Sequence, residues 1–149
     1  MKKIRNYKIR PVNKSDKQAM ALVYQACYST LPLSEKWPHH AALKRVSQLL
    51  QQNHTQGWAL TVFNQVVGFA FLQSREGFNG AYGELLEAAV HPYFRRQGLG
   101  RAVLKRVRDY QKKKKLKVVY TLAYKGMFEG FYKKSGFKPA KRSLVYVWK

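Results

Sequence analysis

Arg95, Arg96, Gly98, Gly100 and Arg101 stand together between an apolar run that ends at Val90 and an amphipathic stretch that opens at Leu99. A strand that empties through a basic, glycine-containing turn into a helix start is an anion trap. The first N–H groups of a helix lack intrahelical partners, and the helix dipole favours negative charge there. Gly98 and Gly100 carry no Cβ, which lets a diphosphate approach the main chain. Arg95, Arg96 and Arg101 add charge-assisted hydrogen bonds at the rim. The chemistry these residues suit is the holding of a diphosphate-bearing cofactor.

No Gly-Lys-Ser/Thr follows the glycines, so the loop is not a P-loop, and the Gly-x-Gly-x-x-Gly dinucleotide fingerprint is absent. Arg95-x-x-Gly98-x-Gly100, with Val90-x-Pro92 ahead of it, resembles the acetyl-coenzyme A signature of the GNAT N-acetyltransferases. Phe131-Tyr132-Lys133-Lys134-Ser135-Gly136-Phe137 is similar to the aromatic-Tyr-x-x-x-Gly-Phe element of the same family, and the two motifs occur in the family's order. The resemblance spans Trp58 to Phe137. It implies an α+β fold of GNAT type, with a mixed, mostly antiparallel central sheet flanked by helices on both faces. It also implies acetyl-coenzyme A as co-substrate, held by Ala88, Val90, Arg95, Arg96, Gln97, Gly98, Gly100, Arg101, Lys125 and Tyr132. Lys125 and Phe128 depart from the pattern, because many relatives carry Asn and Ala there, and the Asn usually contacts the pantetheine arm. Lys125 could meet a phosphate instead.

The reaction so implied is direct attack of a primary amine (a protein N-terminus, a lysine or a small amine) on the thioester. The amine must be neutral. At pH 7 deprotonation costs about 4.6 kcal/mol for a lysine side chain and about 1 kcal/mol for an α-amine. A general base is therefore useful, most of all for lysine. The acids are only Asp16, Glu35, Glu76, Glu84, Glu87, Asp109 and Glu129. Two of them lie on the strand leading into the loop. Glu84, eleven residues before Arg95, matches the place where some family members carry their base and is the first candidate. Glu87, nearer the loop in sequence, is the second. Simple alternation would put them on opposite faces unless a bulge intervenes. Tyr132 matches a tyrosine that in the family often points at the coenzyme sulfur, so it is the candidate general acid.

A single cysteine, Cys27, lies among Ala19, Met20, Leu22, Val23 and Ala26 and reads as a buried helix residue. His39, His40, His54 and His91 lack ligand spacing with Cys or acids, so no metal site is expected. His91, just before Pro92, reads as a turn residue.

Length and composition bound the rest. At 149 residues, with 46 % hydrophobic and 14 % aromatic residues, the chain reads as one folded domain over 1–149 rather than a disordered segment. No apolar run approaches a membrane span of about 20 residues, and no secretory signal follows the basic start, so a cytoplasmic location is the default expectation. Twenty-nine Lys and Arg against seven acids give a net charge of +22. Such a field attracts polyanions and repels polycations. It suggests an acidic or nucleic-acid partner beyond the amine substrate, or else serves only solubility. A competing reading is a basic nucleic-acid- or ribosome-binding module with a vestigial cofactor pocket. The interleaved Tyr120, Tyr124, Lys125, Phe131, Tyr132, Lys133 and Lys134 would suit it.

The elements that must position these groups follow from pattern. Strands are predicted over Tyr7 to Val12, Trp58 to Phe63, Val66 to Leu72, Tyr82 to Val90, Val118 to Ala123 and Leu144 to Trp148. Helices are predicted over Lys17 to Tyr28, His39 to Gln52, from Leu99 past Tyr110 and from Met127 to Ser135. Lys112 to Lys115 closes the third helix, where cations favour the dipole.

Overall fold

The computed structural model describes residues 3–30, 33–123 and 128–149. Five strands form one sheet in the order β1 (Tyr7–Pro11), β2 (Thr55–Val62), β3 (Gln65–Arg75), β4 (Tyr82–Val90) and β5 (Val119–Tyr120). The first three pairings are antiparallel and β4–β5 is parallel, so the sheet is mixed, as an α+β fold requires. Helices α1 (Lys17–Ser29), α2 (His39–Gln51), α3 (Leu99–Lys113) and α4 (Glu129–Lys134) complete it.

Alternation along β3 builds two cores. Phe69 and Phe71 point to one side, where they meet Met20, Val23, Tyr24 and Cys27 of α1 and Ala42, Val46 and Leu49 of α2. Ala70 and Leu72 point to the other, where they meet Trp58 and Leu60 of β2, Leu85 of β4 and Leu99, Val103, Leu104 and Val107 of α3. Helical spacing of three and four residues on α1, α2 and α3 produces the matching stripes. Burying each such side chain contributes about 1.5–3 kcal/mol, enough to fix which faces of β4 look toward α1 and α3. Among the described residues no helix is long and apolar enough to cross a membrane.

Three expectations need correction. The strand expected over Val118 to Ala123 is only Val119–Tyr120; just past it the Thr121 hydroxyl, not a backbone ladder, bonds Leu85 O of β4 at 3.0 Å. The strand expected over Leu144 to Trp148 is irregular chain, and all five side chains are exposed. Alternating apolar residues supply no hydrogen-bonding neighbour, and a strand without one gains nothing from its backbone. The hairpin is longer than expected, starting at Thr55 and running on to Arg75.

Candidate active site

At the end of β4 the chain makes a single 3-10 turn over Pro92–Phe94, with His91 Nδ1 accepting the Tyr93 N–H at 3.2 Å. His91 is thus a turn residue, as expected. Arg95 folds inward: its Nε donates to Val90 O at 3.1 Å, and the Cys27 thiol approaches the same oxygen at 3.1 Å. The end of the strand is braced by the loop and by α1 together. Burial raises the Cys27 pKa, which keeps it a thiol.

Beyond Arg95 the loop opens. Arg96 has φ +60° and Gly98 φ +81°, and left-handed residues curl the main chain so that amides can face one concavity. Gly98 caps α3 and has no side chain to offer its first-turn amides, while a Cβ built there would meet nothing within 4 Å. Arg96 and Arg101 are exposed beside it, and among the described residues Gln97 Oε1 is buried without a donor. An uncapped helix start, an open glycine and the exposed guanidinium groups of Arg96 and Arg101 fit a diphosphate. Gly100 plays a part beyond the one its sequence suggests. A Cβ built there would lie 2.9 Å from Phe131, so its smallness also admits the α4 aromatic.

Glu84 and Glu87 share a face. Phe71 pairs with Glu87 and Leu72 with Leu85, leaving Leu86 as a bulge. The extra residue cancels the alternation, and both carboxylates look toward the α1–α2 side. Glu84 sits at the β4–β5 junction, paired with Arg75 Nη2 at 2.7 Å. Glu87 is more enclosed. Tyr28 donates its hydroxyl to Oε2 at 2.9 Å, and Arg45 Nη2 approaches Oε1 at 3.3 Å. Burial raises the Glu87 pKa, while the Tyr28 hydroxyl and the Arg45 charge draw it partly back. The Tyr24 phenol is pushed up to about 12, chiefly by burial and then by the Glu87 charge, and Tyr28 is raised for the same reasons. Trp37, from the α1–α2 connection, packs on Tyr24 at 4.9 Å and Tyr28 at 6.2 Å between ring centres. Nothing in the sequence announced Tyr28 or Arg45 as partners of a strand residue 59 and 42 positions away. Only packing of α1 and α2 on the sheet brings them there.

Tyr132 lies on α4 against the α3-side core, between Phe131 at 5.3 Å and Phe137 at 5.4 Å. Burial raises its phenol pKa, the neighbouring Thr121 hydroxyl lowers it, and the Glu87 charge adds to the rise. Thr121, which also bonds Leu85 O, therefore links β4 to the phenol. Ala88 and Val90 are half-buried on the α3 side of β4. Among the described residues, β5 pairs only with Gly83 and Glu84, so the β4 edge from Leu85 to Val90 runs toward the loop without a strand partner there. Lys125 lies outside the described residues. Phe131 and Tyr132 are half-buried and pack against the α3-side core. Among the described residues no group of three His, Cys, Asp or Glu gathers as a metal site.

A family model described as the acetyltransferase (GNAT) domain matches residues 13–146. The fold is similar to that of a possible acetyltransferase from Clostridium difficile 630, with TM-score 0.82, 15 % identity and coverage of 97 % of this chain and 98 % of that one. It is also similar to a ribosomal-protein-alanine N-acetyltransferase from Brucella melitensis biovar Abortus 2308, with TM-score 0.75, 16 % identity and coverage of 96 % and 98 %. The aminoglycoside N-acetyltransferase AAC(6')-Iy, solved in complex with CoA, gives TM-score 0.75, 18 % identity and coverage of 97 % and 95 %. At such identities the likeness speaks for the fold. A comparison with curated protein sequences gave no match.

Proposed function

Because the chain belongs to the GNAT acetyltransferase domain family, we propose that it moves an acetyl group from acetyl-coenzyme A to a primary amine by direct attack. The support for this reading is one alignment along β4: the buried Glu87 carboxylate, then the open Gly98 turn just past the strand's end.

Bound acetyl-coenzyme A would supply an acetyl thioester whose sulfur, with a thiol pKa of about 8.5, needs a proton on departure. The amides at the start of α3, with Arg96 and Arg101, would hold the diphosphate. Arg95 keeps the turn attached to Val90 O. Ala88 and Val90, near the end of β4, would border the pantetheine arm. Glu87 Oε takes the amine proton, directly or through one water. Its raised pKa makes it a better base than an ordinary carboxylate, and proton transfer is most effective when donor and acceptor are matched near the working pH. Glu84 is less suited, since Arg75 already holds its carboxylate at 2.7 Å. Tyr132, whose raised pKa keeps it a protonated phenol, gives a proton from Oη to the departing sulfur.

A charge of +22 disfavours polycationic acceptors. A protein N-terminus or lysine carried on an acidic assembly, or a small neutral or anionic amine, is the compatible class. The test is release of coenzyme A thiol across a panel of amines, with the acetylated product identified by mass. Acceptor-dependent release that is lost in Glu87→Gln supports the reading. Failure of every amine to stimulate release, with acetyl-coenzyme A bound, refutes it.

A further inference from the structure

The outer face of α3 and the lysine run behind it carry more positive charge than coenzyme binding or helix stability requires. Between residues 99 and 117 there are nine Lys and Arg and one acid, Asp109. Lys105 takes that acid at 3.1 Å. Lys112 and Lys113 lie in the last turn of the helix, where cations suit the dipole. Together these account for three of the nine. Lys105, Arg108, Lys112, Lys113, Lys114 and Lys115 are all exposed.

Their arrangement is regular. Lys105, Arg108 and Lys112 recur at three and four residues and so form one row, opposite the buried Val103 and Val107. The row covers about 10 Å at 1.5 Å per residue. Along the axis of a nucleic-acid duplex each strand presents a phosphate about every 3.4 Å, so three cations meet about three phosphates over that length. The loop that follows α4 continues the face, because Gly136 lies against Arg108 Nη1.

The face also lacks what a protein partner would need. No large hydrophobic side chain is exposed between Leu99 and Lys117, whereas protein interfaces are anchored by aromatic and apolar residues at their centre. Binding of single strands relies on exposed aromatics for base stacking, and the face has none. Charge without apolar anchors is the pattern of backbone recognition, in which lysine and arginine meet phosphates and the bases go unread.

We propose that this face is a docking surface for the phosphate backbone of a nucleic-acid duplex, bound without sequence preference. Neither Glu87 nor Tyr132 belongs to this surface, and the proposal stands whatever the acceptor amine is.

The experiment is fluorescence anisotropy with a short labelled RNA duplex and the DNA duplex of the same sequence, over a series of salt concentrations. Wild-type protein is expected to bind at least one duplex with log K falling by about 4 or more per decade of salt, as for roughly five phosphate contacts. The triple variant Lys112→Gln, Lys113→Gln, Lys114→Gln should bind at least tenfold more weakly, with a slope shallower by about 2 to 3. Lys8→Gln, Lys14→Gln, Lys36→Gln removes three exposed charges elsewhere and should leave the affinity within twofold of wild type. The inference is overturned by equal loss in both triple variants, which would make net charge the whole cause. It is equally overturned if the first variant binds like wild type, or if single-stranded RNA, polyglutamate or phosphatidylserine vesicles compete as well per charge as the duplex.

Discussion

Glu87 and Glu84 look out of the same face of β4 although they stand three positions apart, because Leu86 forms a bulge. Their partners differ. Glu84 meets the half-exposed Arg75, while Glu87 is shut between Tyr28 and Arg45. Glu87→Gln should therefore lower turnover by about 100-fold or more, the usual contribution of a positioned base. Burial raises the Glu87 pKa, so its basic form fills only as pH climbs above the ordinary carboxylate range, and the acidic limb of the wild-type rate profile should lie there. The variant should lose that limb. Glu84→Gln should retain the limb and most of the turnover. Rate profiles of both across pH decide between them, and a limb that vanishes in Glu84→Gln instead would transfer the role.

Tyr132→Phe removes one hydroxyl from a packed ring. Turnover should fall by about 100-fold, with coenzyme affinity within threefold of wild type, since the ring keeps its contacts with Phe131 and Phe137. The pKa of the phenol is raised, so the alkaline limb in wild type should lie above the ordinary tyrosine value of about 10. Steady-state kinetics with calorimetric binding of the coenzyme separate the two quantities. Unchanged turnover would reduce Tyr132 to packing.

The two loop glycines should respond differently to alanine. At Gly98 there is room for a methyl group, but φ is +81°, so Gly98→Ala costs about 1 kcal/mol of strain and should raise the KM for acetyl-coenzyme A by distorting the anion turn. At Gly100 the methyl group collides with Phe131, which neighbours Tyr132. Gly100→Ala should lower kcat more than it raises KM. Comparing the two ratios is the measurement.

Asp16 tests the frame rather than the site. Arg10 holds both its oxygens at 2.8 Å and the Asn13 N–H donates to Oδ2 at 2.9 Å, with the carboxyl buried. The Arg10 hydrogen bonds hold its pKa below the usual value despite burial. For an acid with a depressed folded pKa, the stabilisation is complete above the unfolded pKa of about 3.9 and disappears as pH falls through the lower folded value. Asp16→Asn should cost about 2 kcal/mol at neutral pH, and the gap to wild type should close below the carboxylate range. Urea unfolding at a series of pH values measures it.

Local order was legible in the amino-acid sequence because it is carried by neighbours along the chain. The alternation of Phe69 to Leu72, the helical stripe of α3, the glycine turn after Arg95 and the position of Tyr132 beside Phe131 all follow from spacing within a few residues. What needs contact between distant segments was not legible. Alternation alone sets Glu84 and Glu87 on opposite faces, and the bulge that unites them arises from pairing with β3. Tyr28 and Arg45 meet Glu87 only because α1 and α2 pack on that face, and Gly100 serves Phe131 only because α4 returns to α3. The expected strand over Leu144 to Trp148 is the reverse case, a sound local pattern without a neighbour to complete it. Periodicity sets which way a side chain points only where no bulge intervenes, whereas the partner it meets, and hence its pKa and its chemistry, is set by long-range packing.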